Sequence, residues 1–173
     1  MSNTLVLIGF KSSGKTTVGR YFALKTHKHF IDTDMLVIDH YQKNFGKQLT
    51  CAEIYRTNGE GYFRDLEKKM IMSLDHGANT VIATGGGSVL DLDNVTHLKQ
   101  LGMVVYLNAS PDLLWARLNT QPMSPAIFDS GQLEANFISL YSQRDILYKE
   151  LADVEIHVGD RSVAEIAEIL GSL

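Results

Sequence analysis

Gly9-Phe10-Lys11-Ser12-Ser13-Gly14-Lys15-Thr16 is the stretch of this chain that decides its fold. It fits the pattern of a glycine, four further residues, a second glycine, a lysine and then serine or threonine. The apolar residues 5–8 before it predict a buried strand, and the residues after it predict a helix over 15–25. In such a unit, backbone N–H groups and the helix N-terminus converge on phosphate groups. The stretch therefore predicts nucleoside triphosphate binding.

Two side chains of this loop have chemistry of their own. Lys15 would reach the outer phosphates, and the Thr16 hydroxyl would bind Mg²⁺. The alternative is an ordinary strand–helix turn. The full pattern between an apolar strand and a helix favours the phosphate loop.

The composition is that of one globular domain. The chain has 173 residues, 45% hydrophobic and 21% charged, which is enough for a single core. Its formal net charge of −4 gives no basic surface for nucleic acid or an anionic membrane, so we expect neither partner. The single cysteine, Cys51, is expected to pack, and it favours a reduced, cytoplasmic setting. We see no signal peptide, no membrane-length apolar run and no apolar stripe that demands a second subunit, so we expect a monomer.

Short apolar runs alternate with longer amphipathic stretches along the chain. Strands are predicted over 5–8, 29–31, 80–83, 103–107 and 154–158. Helices are predicted over 15–25, 35–45, 62–74, 94–100, 111–118, 133–151 and 163–170. Because strands buried on both faces lack polar alternation, this order predicts an α/β fold with three α/β/α layers around a parallel sheet. Residues 119–131, with two prolines, predict a long loop of the kind that forms active-site lids.

Carboxylates follow the second predicted strand. Asp32 and Asp34 flank Thr33, and on an extended backbone their side chains would point in opposite directions. One could then serve Mg²⁺ while the other faces an acceptor hydroxyl. The alternative is plain helix capping, for which Asp34 is the candidate.

Three further clusters could form a second substrate site. Arg64 and Glu67 are spaced to lie side by side on a helix, where Arg64 could grip a carboxylate; a solvated surface pair is the alternative. Gly85-Gly86-Gly87 follows the third strand and permits close backbone approach to a ligand, or is a flexible turn. Arg144 and Tyr148 lie one turn apart on the helix after the predicted lid.

Taken together, the ordered motifs GxxxxGKT, Asp-Thr-Asp, Phe-Arg-x-x-Glu, Gly-Gly-Gly and Arg-x-x-x-Tyr resemble those of shikimate kinases. The similarity runs from Leu5 to Leu170. It implies a P-loop kinase fold with five parallel strands, like that of nucleoside monophosphate kinases. It also implies transfer of the ATP γ-phosphate to the 3-hydroxyl of shikimate, on the route to chorismate and the aromatic amino acids. Residues 1–173 would then form one kinase domain, with a substrate-binding helical region near 33–62 and a lid near 119–131.

The resemblance also implies roles for residues at matching positions. The ATP phosphates would be held by Ser12, Ser13, Gly14, Lys15, Thr16 and Thr17, and the adenine flanked by Arg117. Mg²⁺ would be fixed by Thr16 and Asp32. Asp34 would act with Lys15 in catalysis and bind shikimate hydroxyls. The rest of the shikimate pocket would consist of Arg64, Arg144, Gly85, Gly86, Gly87, Tyr55 and Phe63, with Glu67 positioning Arg64.

The predicted lid departs from the family pattern. Where the family has an Arg-Pro pair, this chain has Ser124-Pro125, and residues 119–131 include no lysine or arginine. Three interpretations follow: Lys11 or Arg117 compensates, the acceptor is another anion, or the chain binds its ligands with weak or no turnover. The region 32–54 is also slightly long for the family, as a lengthened surface loop or as a pocket of altered shape.

Overall fold

The structure, a computed structural model, describes residues 4–75, 79–120 and 133–173. These residues form five strands: β1 (Leu5–Ile8), β2 (His29–Asp32), β3 (Thr80–Ala83), β4 (Met103–Asn108) and β5 (Val154–His157). They also form eight α-helices: α1 (Lys15–Lys25), α2 (Thr33–Phe45), α3 (Cys51–Asn58), α4 (Glu60–Met72), α5 (Leu92–Leu101), α6 (Pro111–Asn119), α7 (Leu133–Leu151) and α8 (Val163–Gly171). A 3-10 turn, Ser88–Leu90, precedes α5.

The five strands form one parallel sheet in the order β2-β3-β1-β4-β5. Every residue of β1 and β3 is buried, because helices cover both faces of the sheet at its centre. This arrangement confirms the predicted three-layer α/β/α fold. The carboxyl ends of β2, β3 and β1 lie side by side, so the segments that follow these strands meet at one edge of the sheet.

Several elements differ in their bounds from the prediction, and in α2 and α5 the reason is a capping side chain that sets the helix start. Helix α2 begins at Thr33, two residues early, since the Asp32 carboxylate accepts from the N–H groups of the next turn. Asp91 caps α5 in the same way, so that helix begins at Leu92. Helix α4 also begins two residues early, at Glu60, and ends at Met72 rather than at residue 74. Strand β5 ends one residue earlier than predicted, at His157.

Helix α3 was missed in the sequence, although a signal for it exists. Thr50 and Glu53 form a reciprocal capping box at its start, in which each side chain accepts from the other's backbone N–H. Helices α2, α3 and α4 then share a small core of their own, beside the main core on the sheet. Its buried members are Val37, Tyr41, Ile54, Phe63, Leu66 and Met70.

No helix in the described parts of the chain combines the length and the apolar character needed to cross a bilayer.

Candidate active site

The phosphate loop connects β1 to α1 and depends on its glycines. Gly9 and Gly14 have φ angles of 141° and 101°, which favour glycine. A Cβ at Gly9 would also lie only 2.7 Å from the Leu107 carbonyl oxygen. Helix α1 begins at Lys15, so its unpaired N–H groups and positive dipole end lie at the loop. The local geometry is that of an anion site.

The Lys15 ammonium is buried within this loop. Its Nζ donates to the carbonyl oxygens of Gly9 and Phe10, both at 2.8 Å, and lies 3.5 Å from the Ser13 hydroxyl. Burial lowers the pKa of Lys15 to about 8, although the carboxylates Asp34 and Asp32 oppose that shift. The loop therefore holds a cation at its centre.

Asp32 lies beside Thr16 at the end of β2. The Thr16 hydroxyl donates to Asp32 Oδ2 at 2.7 Å, while Asp32 Oδ1 accepts from the Asp34 N–H at 3.0 Å. Asp32 is thus the cap of α2, and the expectation that Asp34 could be the cap is wrong. The extended-backbone argument for the two carboxylates is wrong as well, because Asp34 lies in the first turn of a helix.

The Asp34 carboxyl lines the cleft together with the lysines of the phosphate loop and with Glu67 of α4. Burial, with the negative charges of Asp32 and Glu67, raises the pKa of Asp34 to about 6, while Lys15 and Lys11 lower it. A carboxyl with a pKa near 6 is suited to accept a proton close to neutral pH.

The three glycines after β3, Gly85, Gly86 and Gly87, lie close to the phosphate loop and to the side chains of Asp34, Arg64 and Glu67. The Gly85 N–H donates to the Thr33 hydroxyl at 3.0 Å, and a Cβ at Gly85 would lie 2.6 Å from Glu67 Oε1 and 2.7 Å from Asp34 Oδ1. A Cβ at Gly87 would collide with the Arg64 guanidinium. Side chains at these positions would displace the charged groups, so glycine is required for close approach.

The predicted Arg64–Glu67 pair is formed, and it is not a solvated surface pair. Arg64 Nη1 donates to Glu67 Oε2 at 2.6 Å. Glu67 is only 2% exposed, and its Oε1 accepts from the Ser88 hydroxyl at 2.9 Å. The buried Arg64 Nε has no hydrogen-bond partner among the described residues, and it forms an ion pair with Glu60 Oε1 at 3.8 Å.

Arg144 of α7 is a second arginine of the candidate site. It is 5% exposed, and its guanidinium lies 5.6 Å from the centre of the Phe10 ring. Burial lowers its pKa, and its Nε also lacks a hydrogen-bond partner in the described chain. The Tyr148 hydroxyl donates to the Gly86 carbonyl oxygen, which joins α7 to the glycine turn. Two guanidinium groups, each with a buried Nε that lacks a hydrogen-bond partner in the described chain, are suited to an anionic ligand.

Apolar side chains lie beside the two arginines. Tyr55 on α3 and Phe63 on α4 meet edge to face with ring centres 5.8 Å apart. Cys51 is partly buried, and its Sγ lies 3.4 Å from the Asp34 carbonyl oxygen. Burial raises the pKa of the Cys51 thiol, so it stays protonated.

The phosphate loop and the Arg64–Arg144 region line a single cleft with a volume of about 660 Å³. Among the described residues that line it, two are anionic, Asp34 and Glu67, and five are cationic: Lys11, Lys15, Arg64, Arg117 and Arg144. Arg117 lies on the loop side, where its Nη1 donates to the Ser12 carbonyl oxygen at 3.0 Å. The structure thus brings the sequence-predicted residues together around one cleft, with Asp32 and the buried Ser13 just behind its wall.

Sequence reasoning missed the supporting hydroxyls of Thr33 and Ser88, because their partners are distant in the chain. The substituted lid pair, Ser124-Pro125, lies outside the described residues, as does the predicted lid from residue 121 onward.

A loop of this kind between the first strand and the first helix of a parallel sheet defines the P-loop class of nucleoside triphosphate-binding proteins. Within that class, residues 11–172 match the family model described as shikimate kinase. Shikimate kinases of Caldanaerobacter subterraneus and Cupriavidus pinatubonensis are 37% and 40% identical to the chain; the alignments cover 95% and 96% of it, and 91% and 83% of those proteins. The chain belongs to the shikimate kinase family.

Solved structures of shikimate kinases share this fold. The shikimate kinase of Acinetobacter baumannii, in complex with shikimate, has a TM-score of 0.87 and 28% identity, covering 99% of this chain and 92% of that one. The Bacteroides thetaiotaomicron enzyme has a TM-score of 0.81 and 30% identity, covering 98% and 96%. A Sinorhizobium meliloti gluconokinase, 16% identical with a TM-score of 0.52 and covering 96% and 88%, shares the fold alone.

Proposed function

We propose that this chain transfers the γ-phosphoryl group of ATP to the 3-hydroxyl of shikimate. The observation that carries the proposal is a pair of arginines, Arg64 and the buried Arg144, that line the same cleft as the phosphate loop and each have an Nε without a hydrogen-bond partner among the described residues. Arginine binds carboxylates through two parallel hydrogen bonds, so this pair favours a carboxylated acceptor over a neutral sugar. The relatives' activity supports the same acceptor.

The proposed step is an in-line displacement at the γ-phosphorus. The acceptor oxygen forms a bond to phosphorus, the bond from phosphorus to the bridging oxygen of ADP breaks, and ADP leaves. Asp34 accepts the hydroxyl proton, which its raised pKa permits. Lys15 and the N–H groups at the start of α1 hold the phosphates; because phosphoryl transfer depends on alignment and charge neutralisation, these groups supply most of what it needs.

Thr16 and Asp32 fit a magnesium site. Their oxygens lie 2.7 Å apart beside the phosphate loop, and hard oxygen donors are what Mg²⁺ prefers. The described residues contain no group of three or more His, Cys, Asp or Glu side chains placed for a metal. Mg²⁺ in kinases commonly takes one or two carboxylates and completes its shell with water and phosphate. Bound here, the ion would neutralise charge on the nucleotide phosphates.

The remaining roles are proposals on the same basis. Arg117 would flank the nucleotide from the loop side, and Tyr55 and Phe63 would pack against the acceptor ring. The acceptor-binding region would be the α2–α4 unit, within a single domain.

An assay of ADP release tests the function. We expect ATP-dependent release with shikimate and none with gluconate. Asp34→Asn should reduce turnover by about 10²-fold or more through loss of the proton acceptor. Calorimetry on the same samples should detect the binding of ATP and the binding of shikimate. Shikimate binding without ADP release would reject the kinase reaction, and failure to bind shikimate would reject the acceptor.

A second candidate is a family member that binds its ligands with little turnover. The specific observation in its favour is the absence of any lysine or arginine between Arg117 and Arg144 in the sequence. The ADP-release assay separates it from the active enzyme, because calorimetry should detect ligand binding in both cases while only the active enzyme releases ADP.

A further inference from the structure

We propose that Lys11 is a further catalytic residue, whose ammonium contacts the γ-phosphoryl group on its acceptor side during transfer. The proposal deepens the proposed function and rests on it. It concerns a position inside the phosphate loop, where the general motif specifies no residue type.

The first observation is where Lys11 lies. It lines the same cleft as Lys15, Asp34 and both arginines. Its backbone meets the glycine turn, because a Cβ at Gly86 would lie 3.2 Å from the Lys11 nitrogen. Lys11 is therefore placed at the junction between the donor and acceptor halves of the cleft.

The second observation is that the Lys11 ammonium is uncommitted. It is exposed, and it forms no ion pair with a carboxylate in residues 4–75, 79–120 or 133–173. Lys15, by contrast, donates to two carbonyl oxygens of its own loop. A long, flexible lysine with three free donors can follow a phosphoryl group as it moves.

The three arginines of the cleft are less free to move than Lys11. Arg64 is paired with Glu67, Arg117 donates to the Ser12 carbonyl oxygen, and Arg144 is buried beside Phe10. The sequence offers no positive charge between Arg117 and Arg144. Lys11 is thus a second lysine of the described cleft, beside Lys15, whose ammonium is free to move with the transferring group.

The chemistry explains why such a cation matters. Negative charge spreads over the three outer oxygens of the phosphoryl group as it passes between two oxygens. A preorganised donor at that position stabilises the transition state more than the bound substrates, so its removal lowers kcat more than it weakens binding.

The test compares Lys11→Gln, Lys11→Arg and a matched control, Lys99→Gln, an exposed lysine of α5 that does not line the cleft. Because Lys11 is exposed, none of these changes should alter the melting temperature. We expect Lys11→Gln to lower kcat by about 10²-fold, and Lys11→Arg to keep kcat within about tenfold of the parent. The Km for shikimate should change little, and Lys99→Gln should match the parent.

A binding measurement needs no turnover. Calorimetry with ADP and with AMP-PNP, a non-hydrolysable ATP analogue, reports the affinity gained from the third phosphate. Lys11→Gln should lower the ratio of the AMP-PNP affinity to the ADP affinity by about tenfold or more, the loss expected for one hydrogen bond to a charged group. If the ratio falls while the parent does not phosphorylate shikimate, Lys11 still contacts the γ-phosphate and the acceptor assignment is what fails. An unchanged ratio together with an unchanged kcat would overturn the role of Lys11.

Discussion

Asp34 shows how a single residue acquires its chemistry from its surroundings. A free aspartate is ionised at neutral pH and is a weak base, whereas here burial and two neighbouring carboxylates raise the pKa to about 6. The nearby lysines keep it from rising further. The sequence could indicate a functional carboxylate after β2, but this shift depends on Glu67, which lies 33 positions further along the chain.

Activity should therefore fall at acid pH. As the proton acceptor, Asp34 must be ionised, so kcat/Km should decline below about pH 6 and drop about tenfold for each further pH unit. A pH–rate profile with shikimate at saturating ATP measures this limb. An acid limb centred near pH 4 would contradict the assignment of Asp34 as the base.

Asp34→Asn should also stabilise the fold at neutral pH. The pKa of Asp34 is about 6 in the folded state and near 4 in the unfolded chain, so the folded state holds the proton more tightly. The stability is therefore fully present below about pH 4 and is lost as pH rises through about 6. Removing the charge should recover up to about 3 kcal/mol at pH 8 and nothing at pH 4. Thermal unfolding at both pH values measures this. The control is Asp39→Asn, an exposed residue of the same helix, for which no gain is expected.

At the scale of elements, the site depends on where strands end. Asp32 closes β2, the three glycines follow β3, and the phosphate loop follows β1, and these strands are neighbours in the sheet. The motifs could be located in the sequence because glycine patterns and apolar runs are local signals. The contacts of Thr33 and Ser88 could not, since they depend on strand order. Helix α3 had only its capping box as a signal.

Gly87→Ala tests the packing of the glycine turn on α4. The new Cβ would collide with the Arg64 guanidinium, so Arg64 must move away from the acceptor site. We expect the Km for shikimate to rise about tenfold or more, with the Km for ATP nearly unchanged. Steady-state kinetics measure both. Gly61→Ala is the matched control, because a Cβ there meets nothing within 4 Å; equal kinetics for the two variants would contradict the proposed role of Arg64.

At the scale of the whole molecule, two hydrophobic cores stabilise different parts of the protein. The main core holds the sheet and the phosphate loop, and the smaller core holds α2, α3 and α4 together. A small, separate core can open locally without unfolding the sheet. The α2–α4 unit should therefore adjust to the acceptor while the nucleotide side stays fixed.

Ile54→Val and Ile166→Val test this division. Both side chains are buried, Ile54 in the smaller core and Ile166 in the main one, and each change should cost about 0.5–1.5 kcal/mol. Ile54→Val should speed hydrogen exchange in α2–α4 and raise the Km for shikimate, whereas Ile166→Val should lower the melting temperature without changing that Km. Equal effects of both variants on exchange in α2–α4 would contradict two separately stable cores.

Product identification by phosphorus NMR tests the central claim most directly. The purified chain is incubated with ATP, Mg²⁺ and shikimate, beside the Asp34→Asn variant. We predict a single new phosphate monoester on the 3-hydroxyl of shikimate, formed in step with ADP by the parent and nearly absent with the variant. ADP with inorganic phosphate as the only products, or a phosphate ester formed equally fast by Asp34→Asn, would contradict the account.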